Sequence, residues 1–288
     1  MAADHGVAAG GVSAYPQEVT GQMVLNLASG GAAICVLARH AGAEVVVVDM
    51  GCRNAAPPGA AVLDRRIGPG TRDFTKGAAM TRDEAIRAVE AGIGVAYDLA
   101  EKGVSLVGLG EMGIGNTTAA SAMTSAFLGA APEEVTGRGT GVDDAGYRRK
   151  VEAVRKALAV NRPDPADALD VLSKVGGFEI AGLAGVALGA AARRIPVVLD
   201  GFISTAAATA SAVFAPALRG CLLPSHGSVE PGHRRLLEAL GAKPMLDLDM
   251  RLGEGTGAAL AMHLAEASIR ILDEMATFDS AGVTDTGA

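Results

Sequence analysis

The sequence predicts an α/β fold, a mostly parallel sheet with helices on both faces and a Rossmann-like plan. Short apolar runs ending in Asp or Gly alternate with longer segments of helical period. The runs are apolar on consecutive residues, as strands covered on both faces require. The loops after them are Gly-rich and open into helices. A chain of 288 residues, 49% hydrophobic and 20% charged, can bury one large core.

The strand candidates come in chain order. "EVVVVDMG" (Glu44–Gly51) is a buried run closed by an acid and a glycine. "VSLVGLG" (Val104–Gly110), "IPVVLDG" (Ile195–Gly201) and "PMLDLDMRLG" (Pro244–Gly253) share that shape, and "GCLLPS" (Gly220–Ser225) is a shorter relative. Helical patterns fill Gln17–His40, Thr81–Lys102, Thr117–Leu128, Ala145–Val160 and Pro165–Val175. They continue over Ala181–Arg193, Thr205–Leu218, Glu230–Leu240 and Thr256–Thr277. "TRDEA" at Thr81–Ala85 has a capping-box shape, with Thr81 at the N-cap and Glu84 facing back to it. A single α/β domain over 1–278 is expected, with smaller helical elements near 129–180 and 256–278. Residues 279–288 read as a polar tail that frays.

Composition excludes several classes. Aromatics are 3% with no Trp, which leaves no stacking surface for single-stranded nucleic acid. A net charge of -7 argues against a nucleic-acid or membrane-surface patch. The 3 cysteines show no C-x-x-C spacing, which fits a reducing, cytoplasmic setting. No signal-peptide pattern opens the chain. The Ala/Ser/Thr-rich stretch Gly201–Leu218 reads as a buried helix and not a membrane span.

In an open parallel sheet, ligands bind at the carboxyl ends of strands. The unusual loops at such ends are "GLGEMGIGNTT" (Gly108–Thr118), "DGFISTAA", "PSHGSVEPGH" and "RLGEGTGAA". Helix N-termini there offer free N–H groups, so an acidic protein can hold a phosphate. The first loop contains G-x-G-x-x-G at Gly108, Gly110 and Gly113. A dinucleotide site needs a second strand and a ribose-binding acid after the helix, and "GAAPEEVTGRGTGVDD" supplies no strand. Glu111 would also place a carboxylate inside the pyrophosphate turn. A tight strand-to-helix turn is the other reading, and it leaves Glu111, Asn116 and Thr117 unused.

Several motifs in series carry a resemblance. "ADHGVAAGGVSAYPQEVTGQMV", "TRDFTKGAAMT", "GLGEMGIGNTTAAS", "TGRGTGVDD", "LDGFISTAAA", "PSHGSVEPGH" and "LDLDMRLGEGTGAALA" resemble the nicotinate-nucleotide–dimethylbenzimidazole phosphoribosyltransferase family over nearly the whole chain. The resemblance implies transfer of phosphoribose from nicotinate mononucleotide to 5,6-dimethylbenzimidazole, giving α-ribazole 5′-phosphate and nicotinate. It implies a cytoplasmic homodimer with no cofactor and no metal. It also implies a helical segment upstream of "ADHG", so the N-terminal part of the helical portion is expected to be missing.

The same resemblance implies that Glu254 is the catalytic base and Glu111 an auxiliary acid, with a turn carboxylate accepting backbone N–H bonds as the equal alternative for Glu111. A benzimidazole that attacks through one nitrogen must lose the proton on the other, and a carboxylate is the simplest acceptor. Gly253 and Gly255 leave room for a flat ring beside Glu254. For the 5′-phosphate the expected groups are backbone N–H donors near Gly110 and Gly113, with Asn116 beside them, and Ser225, Gly227 and Ser228. Lys150 is either a charged partner for that phosphate or a solvated lysine on its helix. Tyr15, Gln22 and Leu252 are candidates for the base pocket. His226 and His233 are read as stabilising their loop by hydrogen bonds in preference to binding metal, and His5 beside Asp4 as a structural pair. A nicotinamide-dependent oxidoreductase rests on the glycine loop alone, and a non-catalytic benzimidazole- or nucleotide-binding protein is the non-enzyme alternative.

Overall fold

The computed structural model describes residues 1–284. Two three-stranded parallel sheets form its centre. One holds β1 (Ala2–Ala3), β2 (Val48–Gly51) and β3 (Leu63–Asp64), in that order. The other holds β4 (Val107–Gly108), β5 (Val197–Leu199) and β6 (Leu222–Pro224). They meet where Ala2 bridges in parallel to Met112. The Ala3 N–H donates to the Met112 carbonyl at 3.1 Å, and the Met112 N–H to the Met1 carbonyl at 2.9 Å. Read across that seam, the strand order is β3-β2-β1-β4-β5-β6. That is the doubly wound order, with its reversal point between β1 and β4. The loops after β1 and β4 therefore open into the crevice where such folds bind ligands.

Helices cover the sheets: α1 (Val19–Ala28), α2 (Ala33–Ala41), α3 (Arg82–Glu101), α4 (Asn116–Leu128), α5 (Pro132–Val135) and α6 (Asp144–Asn161). They continue with α7 (Ala168–Val175), α8 (Phe178–Ala192), α9 (Phe202–Phe214), α10 (Pro231–Leu240), α11 (Thr256–Glu274) and α12 (Phe278–Ala281). The pattern expected at Gln17–His40 splits into α1 and α2, because Gly30 turns left-handed at φ 77°. Neither piece is long enough to cross a membrane. The pattern at Thr205–Leu218 ends early, since Pro216 opens a 3-10 turn over Pro216–Cys221. No strand forms at Pro244–Gly253. Only Leu246 bridges, to His226, and the chain then turns at Asp249 with φ 52°. The start of the polar tail is helical in α12 and exposed, and 285–288 lie outside the described residues.

Packing is set by small residues. α8 is apolar nearly all round and buried along most of its length, as a central helix must be. It crosses α3 with the two backbones in contact. A Cβ on Gly92 would strike the Gly182 carbonyl, and one on Gly185 would lie 2.9 Å from the Val89 carbonyl carbon. The capping box at α3 forms as the sequence predicts: the Glu84 N–H donates to Thr81 Oγ1 at 3.1 Å, and the Thr81 N–H to Glu84 Oε2 at 2.6 Å. Thr81→Ala should cost about 1 kcal/mol of stability, read as a lower denaturation midpoint with an unchanged slope.

Candidate active site

The crevice is built by the loops after β1, β4, β5 and β6, closed by the turn that enters α11. Its glycines are bare because protein lies against them. A Cβ on Gly108 would sit 2.8 Å from Met262 Cε, and one on Gly110 2.7 Å from the Glu254 carbonyl carbon. One on Gly113 would meet the Ala3 carbonyl oxygen at 2.6 Å and Glu179 Oε1 at 3.0 Å. The space a pyrophosphate would need beside G-x-G-x-x-G is filled, which removes the dinucleotide reading.

Two carboxyl groups face an apolar cavity of about 1120 Å³, lined near them by Leu27, Ile34, Leu109, Ala258 and Ala259. Glu111 is 9% exposed and accepts a hydrogen bond from Asn116 Nδ2. Burial, then the charges of Asp200 and Glu179, push it up to about 8, so it is neutral at pH 7. Glu254 is half-buried. It sits in the left-handed region at φ 65°, between Gly253 at 81° and Gly255 at 95°. A non-glycine residue is held there only where its surroundings enforce it, at a cost of about 1–3 kcal/mol. Burial raises its pKa, with the Ile34 N–H pulling the other way. Its Oε2 is buried with no hydrogen-bond partner among the described residues. The two acids thus differ in burial and in hydrogen bonding.

A pH experiment follows from Glu111. Its folded pKa is raised, so the stability it contributes is complete below the ordinary value of 4.5 and is lost as pH rises toward about 8. Glu111→Gln fixes the neutral form. The melting temperature of this variant should gain on that of the parent steadily across that window, and a constant difference would show that Glu111 titrates normally.

The turn into α11 is anchored from below. Asp200, at the end of β5, is 2% exposed. It accepts the N–H groups of Gly257 at 2.7 Å, Gly255 at 3.0 Å and Ala258 at 3.3 Å. Burial lifts it to about 7 against those three donors. The N-terminus of α11 is therefore closed by a carboxylate of the chain itself.

The N-terminus of α4 has no such carboxylate: the Asn116 and Thr118 N–H groups donate to the Gly113 and Gly115 carbonyls at 3.0 Å, and the Thr117 N–H is left over among the described residues. Gly115 is left-handed at φ 98° and no side chain caps it. Lys150 reaches it from α6. Its side chain is 1% exposed and its Nζ donates to Thr117 Oγ1 at 2.6 Å. Burial lowers the ammonium to about 8, with the Glu230 charge opposing. Lys150 is thus a buried cation and not a solvated surface lysine. Glu230 also accepts the Gly139 N–H at 2.9 Å, which fixes the "GRG" loop over the lysine. A helix end, a hydroxyl and a lysine with one protein partner suit a single anion.

Other expected groups lie elsewhere. The N–H groups of the "SHGS" loop are taken: Ser225 donates to Leu199 O at 2.9 Å, Gly227 to Leu246 O at 2.8 Å and Ser228 to His233 Nδ1 at 2.9 Å. The Ser225 hydroxyl donates to the Asp200 carbonyl at 2.9 Å. These residues build the floor and present no free amide to a phosphate. Tyr15 (56% exposed) and Leu252 (60%) are at the surface, as is Gln22, and none of them lines the cavity. His5 pairs with Glu179 at 2.6 Å, both fully buried, while Asp4 accepts the Arg53 N–H at 2.8 Å. His233 Nδ1 accepts from Ser228, so its Nε2 carries the proton and donates to Thr205 Oγ1 at 3.0 Å. Burial lowers His233 to about 3, so the ring is neutral with both nitrogens committed.

A family model described as phosphoribosyltransferase matches residues 1–283. A relative from Roseiflexus sp. (strain RS-1), named nicotinate-nucleotide–dimethylbenzimidazole phosphoribosyltransferase, is 59% identical over 284 residues, covering 99% of this chain and 80% of the relative. The chain belongs to the nicotinate-nucleotide–dimethylbenzimidazole phosphoribosyltransferase family. It is an enzyme, a pentosyltransferase. The same name is borne by a protein of Geobacter metallireducens, 58% identical over 283 residues, with 98% of this chain and 80% of that one covered. The crystal structure of the Thermus thermophilus nicotinate-nucleotide–dimethylbenzimidazole phosphoribosyltransferase superposes with a TM-score of 0.93 at 50% identity, covering 99% of this chain and 84% of that one.

Sequence reasoning did not single out Asp200, Glu230 or Glu179, which the structure places against the turn into α11, the Lys150 loop and Gly113. Asp200 had a usable signal. An acid at the end of a fully apolar strand is costly to bury unless something there needs an acceptor.

Proposed function

We propose that the enzyme moves phosphoribose from nicotinate mononucleotide to 5,6-dimethylbenzimidazole, giving α-ribazole 5′-phosphate and nicotinate, with Glu254 as general base. The observation that carries this is the forced turn at Glu254, a residue that lines the apolar cavity and whose buried Oε2 has no partner among the described residues. The nicotinate ring leaves as a neutral pyridine nitrogen, so no acid is required to expel it. The C1′–N bond to nicotinate breaks as a new bond forms from the attacking benzimidazole nitrogen to C1′. The benzimidazole becomes cationic, and Glu254 accepts the proton on its other nitrogen. Glu111, neutral at pH 7, can donate a hydrogen bond at the reacting centre without repelling Glu254. The phosphate is read onto Lys150, Thr117 and the open end of α4.

The test is direct. The chain is incubated with both substrates, and chromatography should resolve α-ribazole 5′-phosphate and nicotinate in equal amounts. NAD binding without ribosyl transfer would refute the assignment. Lys150→Met should raise KM for the nucleotide roughly 10–100-fold, the loss of a hydrogen bond to a charged group, and leave KM for the base unchanged.

A further inference from the structure

We propose that Asp200 is a positioning residue of the transfer reaction: by gripping the first amides of α11 it holds the left-handed turn that aims Glu254. The inference rests on reading Glu254 as the base.

The turn Gly253–Gly255 is left-handed at every residue, with φ of 81°, 65° and 95°. Glu254 does not adopt that conformation unaided. Two contacts enforce it. From below, Asp200 accepts from Gly255, Gly257 and Ala258, the amides directly after Glu254. From within α11, Thr256 Oγ1 donates back to the Gly253 carbonyl at 2.8 Å, and Thr256 is 2% exposed. The grip needs bare backbone. A Cβ on Gly257 would lie 2.9 Å from Asp200 Oδ1 and 2.8 Å from Ser225 Oγ. Asp200 is itself fixed from behind. Ser225 donates to its backbone carbonyl at 2.9 Å, and His226 Nε2 stands 3.7 Å from its Oδ1. Asp200 does not line the cavity, so it acts through the turn and not on substrate.

Asparagine at this position keeps the shape and turns one acceptor into a donor facing N–H groups. Asp200→Asn should lower kcat about 10–100-fold, the scale of a small misplacement of a reacting group. KM for nicotinate mononucleotide should stay within about threefold, because the grip does not reach the phosphate site. The deciding measurement is a double-mutant cycle with Glu254→Gln. If Asp200 works through Glu254, Asp200→Asn should cost less than about threefold in the Glu254→Gln background. The same loss in both backgrounds, or unimpaired kcat in Asp200→Asn alone, overturns the inference and leaves Glu254 as base. Near-parental turnover in Glu254→Gln removes the base reading and this inference with it. Should Asp200→Asn fail to fold, Thr256→Val loosens the same turn. It should lower kcat roughly three- to tenfold in the parent and not measurably in Glu254→Gln, and equal losses in both would overturn the inference.

Discussion

Glu254→Gln should fold as the parent does, bind both substrates and lose about 10²–10⁴-fold in kcat. Glutamine keeps the size of the side chain and can sit in the same turn, so the melting temperature should hardly move. It cannot take the benzimidazole proton or oppose the positive charge that grows on the ring. The loss belongs in kcat and not in KM for the nucleotide, since the carboxylate acts as charge develops. The parent's pH profile carries a matching signature. Glu254 must be ionised to act, and burial raises its pKa above the ordinary 4.5. Turnover should therefore fall on acidification at a pH above that of a free carboxylate. Glu111→Gln should be milder, because glutamine resembles the neutral acid the site already holds. A dead Glu111→Gln beside an active Glu254→Gln would place the base on the wrong loop.

Gly185→Val should abolish the soluble fold. At this position of α8 a Cβ would fall 2.9 Å from the Val89 carbonyl carbon and 3.0 Å from Gly92 Cα, both backbone atoms of α3. Neither can move without separating the two helices, and each is central to the core. Overpacking typically costs about 1–3 kcal/mol where side chains can yield. Here they cannot, so the loss should exceed about 4 kcal/mol, a large part of a domain's roughly 5–15 kcal/mol. Gly94→Ala is the control. It lies in the same α3 with no heavy atom within 4 Å of the added carbon. It should be neutral or stabilise by up to about 1 kcal/mol. Soluble yield and denaturant midpoints separate the two, and a folded Gly185→Val would mean that the helices do not touch.

The frame was legible where hydrophobicity and punctuation agreed. "EVVVVDMG", "VSLVGLG" and "IPVVLDG" each hold a strand, because continuous apolar residues ending in Asp or Gly have few other homes in a parallel sheet. "PMLDLDMRLG" misled for a physical reason. Leu246, Leu248 and Met250 alternate with acids at the strand period, yet Leu248 is 56% exposed and parallel pairing stops at the single Leu246–His226 bridge beyond β6. β1 and β3 are too short to leave a pattern. At the site, the resemblance and the loop positions brought forward Glu254 and Glu111, which line the cavity, and Asn116 and Lys150, which stand at the start of α4. The "SHGS" amides were misjudged, because a helix-opening loop looks the same whether its N–H groups are free or bonded to Leu199, Leu246 and His233. Only the tertiary structure settles that account.

The contrast between the helix ends at α4 and α11 fixes a stoichiometry. A carboxyl group seated on three amides is an internal acceptor that belongs to the chain itself. It needs no counter-ion, does not wash out, and competes for that site at an effective concentration no solute can match. The end without a side-chain cap, beside Lys150, is the one that the proposed function assigns to the phosphate. On the proposed function, each chain would therefore take up one phosphoryl group, at the α4 end beside Lys150.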